Sequence, residues 1–255
     1  MSLQKNLNEI RVKGITYLKN EFKPNESIKI VSKLDKIALK LKLKKSENIR
    51  NNSQFIPNPF RHDPYFLKFV YHKKVDEIMK NLIEESYVLL DSTAINRKKN
   101  ALQRLKEDSG TSWHTDTAYL KNKKVKKGLM YLVIYMFEDF TKNTSSTLYV
   151  PGSFKKNLKP IRNFNYKSNS LEGTQGTIVV MDAAMWHKSG KASNKSRWSM
   201  FNLYGPWFHK PYFDYYNMMK NKKKLKIPKK IKKLLHFNST PPLNDEVRLT
   251  IKTKL

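Results

Sequence analysis

Two short stretches of this chain contain side chains with the types and spacing needed for metal chemistry. His114 and Asp116 are separated by a single residue, and His187 lies far downstream beside Trp186. Two neutral imidazoles and one carboxylate can occupy one face of an octahedral metal and leave neighbouring positions open, as in non-haem Fe(II) oxygenases. The pattern therefore predicts a single iron site where O2 and a bidentate cosubstrate bind.

A cationic side chain follows the second histidine of this set. Arg197 lies ten residues beyond His187, and a guanidinium can hold a carboxylate through two parallel, charge-assisted hydrogen bonds. We expect Arg197 to bind the far carboxylate of a dicarboxylic cosubstrate. The remaining histidines lack metal-ligand neighbours, so we expect them to be structural or solvated: His62, His72, His209 and His236.

The composition indicates a folded protein without cysteine chemistry. With 255 residues, of which 39% are hydrophobic and 12% aromatic, the chain can bury a substantial core, which argues against global disorder. It has no cysteine, which excludes disulfides, thiolate metal sites and cysteine nucleophiles. The first residues carry no apolar signal core, and the longest apolar run, Leu129–Phe137, is too short to span a bilayer. We expect a soluble, cytoplasmic protein.

The formal net charge of +30 suggests a polyanionic partner. However, only 8 of the 51 basic residues are arginine, the side chain best suited to phosphate and base recognition. A compositional bias towards lysine explains the charge as well, and we expect a small-molecule substrate rather than nucleic acid. The sequence indicates no oligomeric state.

The C-terminal segment, residues 220–255, combines many lysines with an apolar stripe formed by Ile227, Ile231, Leu234 and Leu235. One interpretation is a basic amphipathic helix that makes a weak contact with an anionic membrane surface. The other is a helix laid on the surface of the domain itself, with its lysine stems covering apolar area. The second interpretation is favoured.

The apolar periodicity changes along the chain. Ser27–Lys42 has the spacing of an amphipathic helix, Asp63 with Pro64 predicts the start of a helix that runs to about Ile83, and Asn48–Pro59 indicates a loop. From Tyr87 onward, short runs of β-branched and aromatic residues alternate with turn signals.

This organisation predicts a mainly β fold, a double-stranded β-helix (jelly-roll) with N-terminal helices packed on one sheet and a Lys-rich C-terminal segment. Residues 1–219 would form the jelly-roll domain, including the helical layer, and residues 220–255 a basic extension.

Several separate blocks between roughly Tyr87 and Pro211 resemble the phytanoyl-CoA dioxygenase family of Fe(II)/2-oxoglutarate oxygenases. Trp113–Asp116 is similar to the Trp-His-x-Asp motif of the family, and Leu148–Ser153 to its Leu-x-Val-Pro-Gly-Ser turn. Asp182–Gly190 is similar to its Asp-x-x-x-Trp-His-x-Ser-Gly block, and Gly205–Pro211 to its closing Pro-Trp segment.

The resemblance implies that His114, Asp116 and His187 bind Fe(II) and carry the catalysis. It also implies that Arg197 pairs with the distal carboxylate of 2-oxoglutarate and that the hydroxyl of Ser189 supports it. The expected reaction is the hydroxylation of a small organic substrate with O2, with release of succinate and CO2.

Asn96 lies where the ectoine hydroxylases of the family use an asparagine on the strand before the metal motif, so we expect it to contact the cosubstrate. Ala94 stands where those enzymes carry an arginine, which argues against ectoine as the substrate.

Two alternatives from other classes stay open. A jelly-roll protein that binds ligands without turnover would share the fold, although the presence of all three metal ligands and of Arg197 favours an enzyme. Oxidative demethylation of nucleic-acid bases is suggested by the charge. Enzymes of that family place a second arginine six residues after the first, where this chain has Leu203.

Overall fold

The computed structural model describes most of the chain: residues 2–43, 49–50, 53–97, 112–117, 128–156, 158–190, 195–220, 225–239 and 241. Predictions that concern the final residues, 242–255, lie outside this part. Within the described ranges, no helix combines the length and the apolar character needed to cross a bilayer.

The chain forms five α-helices and ten strands within the described residues. The helices are α1 (Leu3–Lys13), α2 (Pro24–Leu43), α3 (Lys73–Leu82), α4 (Tyr215–Lys220) and α5 (Lys229–Leu234). The strands are β1 (Ile15–Leu18), β2 (Ile49–Arg50), β3 (Ser53–Pro57), β4 (Val88–Arg97), β5 (Tyr131–Met136), β6 (Thr147–Tyr149), β7 (Asn169–Ser170), β8 (Ile178–Asp182), β9 (His187–Ser189) and β10 (Arg197–Gly205).

The strands form two sheets in which every pairing is antiparallel. The large sheet has the order β1-β8-β5-β10-β4-β3-β2, and the small sheet has the order β7-β6-β9. The expectation of a β-rich fold is confirmed.

Both faces of the large sheet are covered, as the central strand β5 shows. Its side chains alternate between faces: Val133 and Tyr135 belong to one apolar cluster, and Leu132 and Ile134 to another. The first cluster also contains the buried side chains of α1, α2 and α3. The second contains residues of the loops on the opposite side, such as Phe154. The unbroken apolar run of β5 follows from this burial on both sides.

Helix α2 confirms the helical periodicity seen in the sequence. Ile30, Leu34 and Ile37 are buried, whereas Leu39 points outward and is 60% exposed. The helix is tied to the sheet by a polar contact as well, because the indole Nε1 of Trp198 in β10 donates to Asp35 at 2.8 Å.

The helix predicted from Pro64 to about Ile83 is divided in two. Asp63 does cap its start, with a side chain that accepts from the backbone N–H of Tyr65 at 2.9 Å, but a 3-10 helix ends at Phe69 and α3 begins only at Lys73. The division has a tertiary cause: the carbonyls of Phe69 and Val70 accept hydrogen bonds from side chains of β10, 2.7 Å and 3.0 Å long. Those carbonyls are therefore unavailable for a continuing helix.

The prediction of a loop at Asn48–Pro59 is wrong. This region contains β2 and β3, and β3 pairs with β4 along four residues, from Gln54 to Pro57. Strand β1 was likewise not predicted. Strands β1, β2 and β3 are short and lie at or next to the edges of the sheet. There, long-range pairing rather than the local residue pattern decides whether a strand forms.

The described part of the C-terminal segment packs on the domain. Ile231 and Leu234 of α5, together with Leu235, are buried in the same cluster as the N-terminal helices. The imidazole Nε2 of His236 lies 2.8 Å from the carbonyl of Leu89. A domain boundary between residues 219 and 220 stays a prediction.

Helix α2 offers a matched test of the helical layer. We expect Leu34→Ala to lower the free energy of unfolding by about 2–5 kcal/mol, because the fully buried side chain leaves a cavity. Leu39→Ala on the exposed face of the same helix should change it by no more than about 0.5 kcal/mol. Urea denaturation measures both, and equal losses would contradict the packing described here.

Candidate metal centre

The backbone brings the two candidate histidine ligands together. His114 and His187 form an isolated antiparallel bridge in which each backbone N–H donates to the carbonyl of the other at 3.0 Å. Their rings lie 4.3 Å apart between centroids. The backbone N–H of Asp116 donates to the carbonyl of Ala183 at 3.0 Å, which places the carboxylate beside both rings.

The three side chains have the geometry of a ligand set. Carboxylate oxygens of Asp116 lie 3.3 Å from Nε2 of His187 and 3.8 Å from Nε2 of His114, and all three ligand atoms lie within 4.8 Å of one another. Ligand atoms on one face of an octahedral ion lie about 3 Å apart when each bond is about 2.1 Å long. The residues present therefore fit a single divalent metal ion.

Hydrogen bonds on the far side of each ring fix which nitrogen faces the centre. Nδ1 of His114 lies 2.8 Å from the carbonyl of Ser112, and Nδ1 of His187 lies 2.9 Å from the carbonyl of Met185. Because a carbonyl can only accept, each Nδ1 carries the hydrogen and each Nε2 presents its lone pair towards Asp116. This is the orientation in which histidines bind metals.

The charges of Asp116 and His187 influence each other's pKa values. Burial by itself would raise the pKa of Asp116, but His187 and His114 lower it below its ordinary value. Burial opposes the charged form of His187, yet the neighbouring Asp116 raises the pKa of the imidazole. Negative charge is thus concentrated at Asp116 beside two imidazoles, where a divalent cation can take the place of a shared proton.

The turn that leads to His187 is held by polar contacts. Oδ1 of Asp182 accepts from the backbone N–H of Ala184 and Oδ2 from that of Gly128, both at 2.9 Å. Asp182 therefore organises the loop. The indole of Trp186 donates to the carbonyl of Leu158 at 2.7 Å, which fixes the residue next to the candidate ligand.

A cavity of about 400 Å³ opens onto the three candidate ligands. Its wall includes cationic side chains, a further carboxylate, hydroxyl groups and apolar side chains. Those used below are Arg97, Arg197, Lys188, Asp91, Thr93, Ser189, Tyr212, Leu132, Phe201 and Leu203.

Arg197 is buried at this cavity and is held by neutral groups. Its Nε and Nη2 donate to the carbonyls of Thr144 and Ser145, both at 2.7 Å, and its Nη1 donates to the hydroxyl of Ser199 at 3.0 Å. In the described part of the chain it forms no ion pair with a carboxylate. Burial, and after it the charge of Arg97, lowers the pKa of Arg197 well below its ordinary value. The charge of Glu138 partly offsets this lowering of the pKa, but no carboxylate pairs directly with the guanidinium within the described residues, so Arg197 is suited to binding an anion.

The loop that supplies these carbonyls depends on a close backbone approach. A Cβ atom at Gly190 would lie 2.3 Å from the carbonyl oxygen of Ser146, so glycine is needed there. Ser145, which adopts a left-handed backbone conformation with φ of 60°, donates from its hydroxyl to the carbonyl of Gly190 at 3.0 Å. The segment after His187 therefore fixes the carbonyls that hold Arg197.

Ser189 lies at the same end of the cavity, two residues after His187. Its hydroxyl accepts a hydrogen bond from Nη2 of Arg97, the last residue of β4, which pairs in register with Arg197. Sequence reasoning did not single out Arg97. The available signal was the two-residue period of β4, on which Asp91, Thr93, Ile95 and Arg97 all line the cavity.

The same alternation requires a correction for Asn96. Its side chain points to the other face of β4, where Asn96 pairs with Trp198 in register and donates from Nδ2 to Gln54 at 3.1 Å. Asn96 does not line the cavity, so the predicted contact with a cosubstrate is not supported by its position. Arg97, one residue further on, lines the cavity next to Arg197.

Comparison with known proteins adds an independent observation. The family pattern of phytanoyl-CoA dioxygenase (PhyH) matches residues 29–199. Two curated proteins, the uncharacterized protein Rv1501 of Mycobacterium tuberculosis and the uncharacterized protein Mb1539 of Mycobacterium bovis, are each 24% identical over 183 residues. The alignment covers 70% of this chain and 65% of those proteins, so the chain spans less than two thirds of their length.

Two solved proteins have a similar fold. HygX from Streptomyces hygroscopicus, determined with nickel and 2-oxoglutarate bound, superposes with a TM-score of 0.65 at 15% identity, covering 82% of this chain and 89% of that one. The epimerase SnoN, determined with Fe3+, alpha ketoglutarate and nogalamycin RO, gives 0.57 at 12% identity, covering 82% and 86%. At these identities the likeness establishes the fold alone.

The ligand geometry predicts metal binding that depends on His187. We expect His187→Ala to weaken binding of Mn(II) at least about 100-fold, because one of three ligands is lost. His62→Ala, at an exposed histidine outside the cavity, should leave the affinity unchanged. Electron paramagnetic resonance of free Mn(II) measures both, and equal affinity in the two variants would contradict the assignment of His187.

Proposed function

Because the chain belongs to the phytanoyl-CoA dioxygenase family, we propose that it is an Fe(II)- and 2-oxoglutarate-dependent dioxygenase that hydroxylates a small organic substrate. The observation that carries the proposal is the combination, in one cavity, of a three-ligand metal centre and a buried arginine held only by neutral groups. The two antiparallel sheets would correspond to the jelly-roll of such enzymes, with residues 1–219 as the oxygenase domain and 220–255 as a basic extension.

His114, Asp116 and His187 are proposed to hold the iron through two Nε2 atoms and one carboxylate. A bound iron would supply, with O2 and 2-oxoglutarate, the oxidative decarboxylation of 2-oxoglutarate to succinate and CO2, coupled to conversion of a substrate C–H bond to C–OH. The chain contributes the orientation of the ligands, because the reciprocal backbone bonds and the two Nδ1 contacts fix both rings.

The cosubstrate would lie between the metal centre and Arg197. Nη1 and Nη2 of Arg197 each donate one hydrogen bond within the described residues, and each retains a second N–H for a carboxylate. Ser189 and Arg97 lie beside it, so the distal carboxylate of 2-oxoglutarate would meet two guanidinium groups. An anion there relieves the repulsion that helps to lower the pKa of Arg197.

The remaining wall of the cavity favours a small, partly apolar substrate. Leu132, Phe201 and Leu203 line it and would exclude water from the reacting groups, which strengthens the electrostatic interactions inside. A volume of about 400 Å³ is typical of sites for small molecules. Leu203 also leaves the demethylase alternative without the second arginine that it requires. A cytoplasmic location and a weak contact of the basic tail with a membrane surface stay predictions.

The proposal is tested by anaerobic titration of the protein with Fe(II) and then with 2-oxoglutarate. We expect the visible charge-transfer band that 2-oxoglutarate gives at ferrous centres of this type, and we expect it to be absent in His187→Ala. Admission of O2 with a panel of candidate substrates should then release succinate. A band without any succinate would indicate a binding protein that lacks turnover, and no band would overturn the proposal.

The second arginine provides a separate prediction. We expect Arg97→Ala to raise the dissociation constant of 2-oxoglutarate about tenfold or more, which is the loss expected for a hydrogen bond to a charged group. Arg61→Ala, at an exposed arginine of a 3-10 helix, is the matched control. Titration of the charge-transfer band measures both constants, and an unchanged affinity in Arg97→Ala would remove Arg97 from the cosubstrate site.

A further inference from the structure

The charged side chains of the cavity are separated along strand β4. Arg97 lies at the end that pairs with Arg197, and Asp91 lies opposite Leu203 towards the other end. Six residues of strand separate the two positions, which corresponds to roughly 20 Å between their Cα atoms. Asp91 is therefore not the counterion of the arginines, and the cavity has a cationic end and an anionic end.

The surroundings of Asp91 provide little to balance its charge. Its carboxylate accepts hydrogen bonds from the backbone N–H of Ser92 and from the hydroxyl of Thr93, the latter at 3.2 Å, and in the part of the chain that the structure describes it forms no ion pair. The residues beside it across the sheet are Leu203 and, beyond it, Leu132, both apolar and both in the cavity wall. A carboxylate in such surroundings gains more from a bound cation than an exposed one does.

A β-bulge lies directly before this carboxylate in β4. Leu203 pairs with Asp91 but the next residue, Tyr204, pairs with Leu89, so Leu90 is the extra residue. The carbonyl of Leu90 accepts instead from the backbone N–H of Tyr212 at 3.0 Å. A bulge leaves its extra residue outside the strand ladder, and here the freed carbonyl of Leu90 holds the Tyr212 segment next to Asp91.

Tyr212 completes this end of the cavity. Its side chain lines the cavity and is 58% exposed, which places it at the mouth. The ring lines the same cavity as the carboxylates of Asp91 and Asp116, and burial, and then the charges of these two groups, raise the pKa of the Tyr212 hydroxyl. An aromatic ring beside a carboxylate is a favourable environment for an organic cation.

We propose that Asp91, together with Tyr212, binds a protonated amine of the substrate, so that this site acts on cationic, amine-bearing small molecules. The inference rests on the proposed function, because it assigns the arginine end of the cavity to 2-oxoglutarate. An ammonium group would form a charge-assisted hydrogen bond with Asp91, whereas an anionic group would be repelled.

The other cations of the cavity wall are engaged elsewhere. Arg97 donates to Ser189 at the far end, and Nζ of Lys188 lies 4.5 Å from the ring centroid of Trp113. A substrate amine would therefore meet Asp91 without competition from these two side chains.

The test uses protein loaded with Zn(II), which fits the ligand set but supports no redox turnover, in the presence of 2-oxoglutarate. The probes are two matched triplets, butylamine, butanol and pentanoate, and glucosamine, glucose and glucuronate, in which the amine and the acid each differ from the alcohol in one group. Saturation-transfer NMR titrations give their dissociation constants. We expect the amines to bind most tightly in each triplet.

Three variants test whether the carboxylate of Asp91 causes the preference for amines. Asp91→Asn should weaken amine binding about tenfold or more, the size of one hydrogen bond to a charged group. Asp91→Glu, which keeps the charge and guards against a loss of folding, should retain the preference for amines. Asp214→Asn makes the same chemical change at an exposed aspartate outside the cavity and should have no effect.

The inference is overturned if amines bind no better than the alcohols or acids, or if Asp91→Asn binds them as tightly as the unaltered protein. A panel in which nothing binds overturns it as well. The affinities for Zn(II) and 2-oxoglutarate, measured on the same samples, report separately on the proposed function. Their loss would overturn that proposal whatever the amines do.

Discussion

The geometry of the candidate centre depends on one pair of backbone hydrogen bonds. The reciprocal N–H···O contacts between His114 and His187, each 3.0 Å long, join two segments that are distant in sequence. They also set the ring positions, because each Nδ1 then finds a carbonyl within its own segment. Asp116 is placed by a further backbone bond to Ala183, so the main chain itself defines all three ligand positions.

The cost of burying charge links this centre to the rest of the cavity. Arg197 is buried among neutral acceptors, and Asp91 lies near the other end beside leucines. Burial raises the pKa of Asp91 to about 6 and lowers that of Arg197, so the surrounding protein stabilises the charged form of each group less well than water does. Bound ligands of opposite charge would stabilise both groups, an anion beside Arg197 and a cation beside Asp91, in line with the proposed places of cosubstrate and substrate.

The scaffold makes this arrangement stable by covering one face of the large sheet completely. Helices α1, α2 and α3 pack on that face, which leaves the other to form the second core and the cavity wall. The side chains of strand β4 contribute to both faces of the large sheet. Ala94 and Asn96 lie on the face that the helices cover, while Asp91 and Arg97 line the cavity on the other face. The bulge at Leu90 holds the Tyr212 segment beside the strand, and the close approach at Gly190 fixes the carbonyls that accept from Arg197.

The sequence by itself determined the features that depend on residue type and local spacing. These include the two histidines and one aspartate as a candidate ligand set, the helical period of α2, the cap at Asp63 and the β-rich class of the fold. Only the tertiary structure decided which face of β4 meets the cavity, so that Arg97 rather than Asn96 lies beside Arg197. It alone revealed the short strands β1 and β3, the divided helix before α3 and the carbonyls that hold Arg197. The physical reason is that strand pairing, side-chain facing and buried-charge partners arise from contacts between distant residues, which local periodicity does not encode.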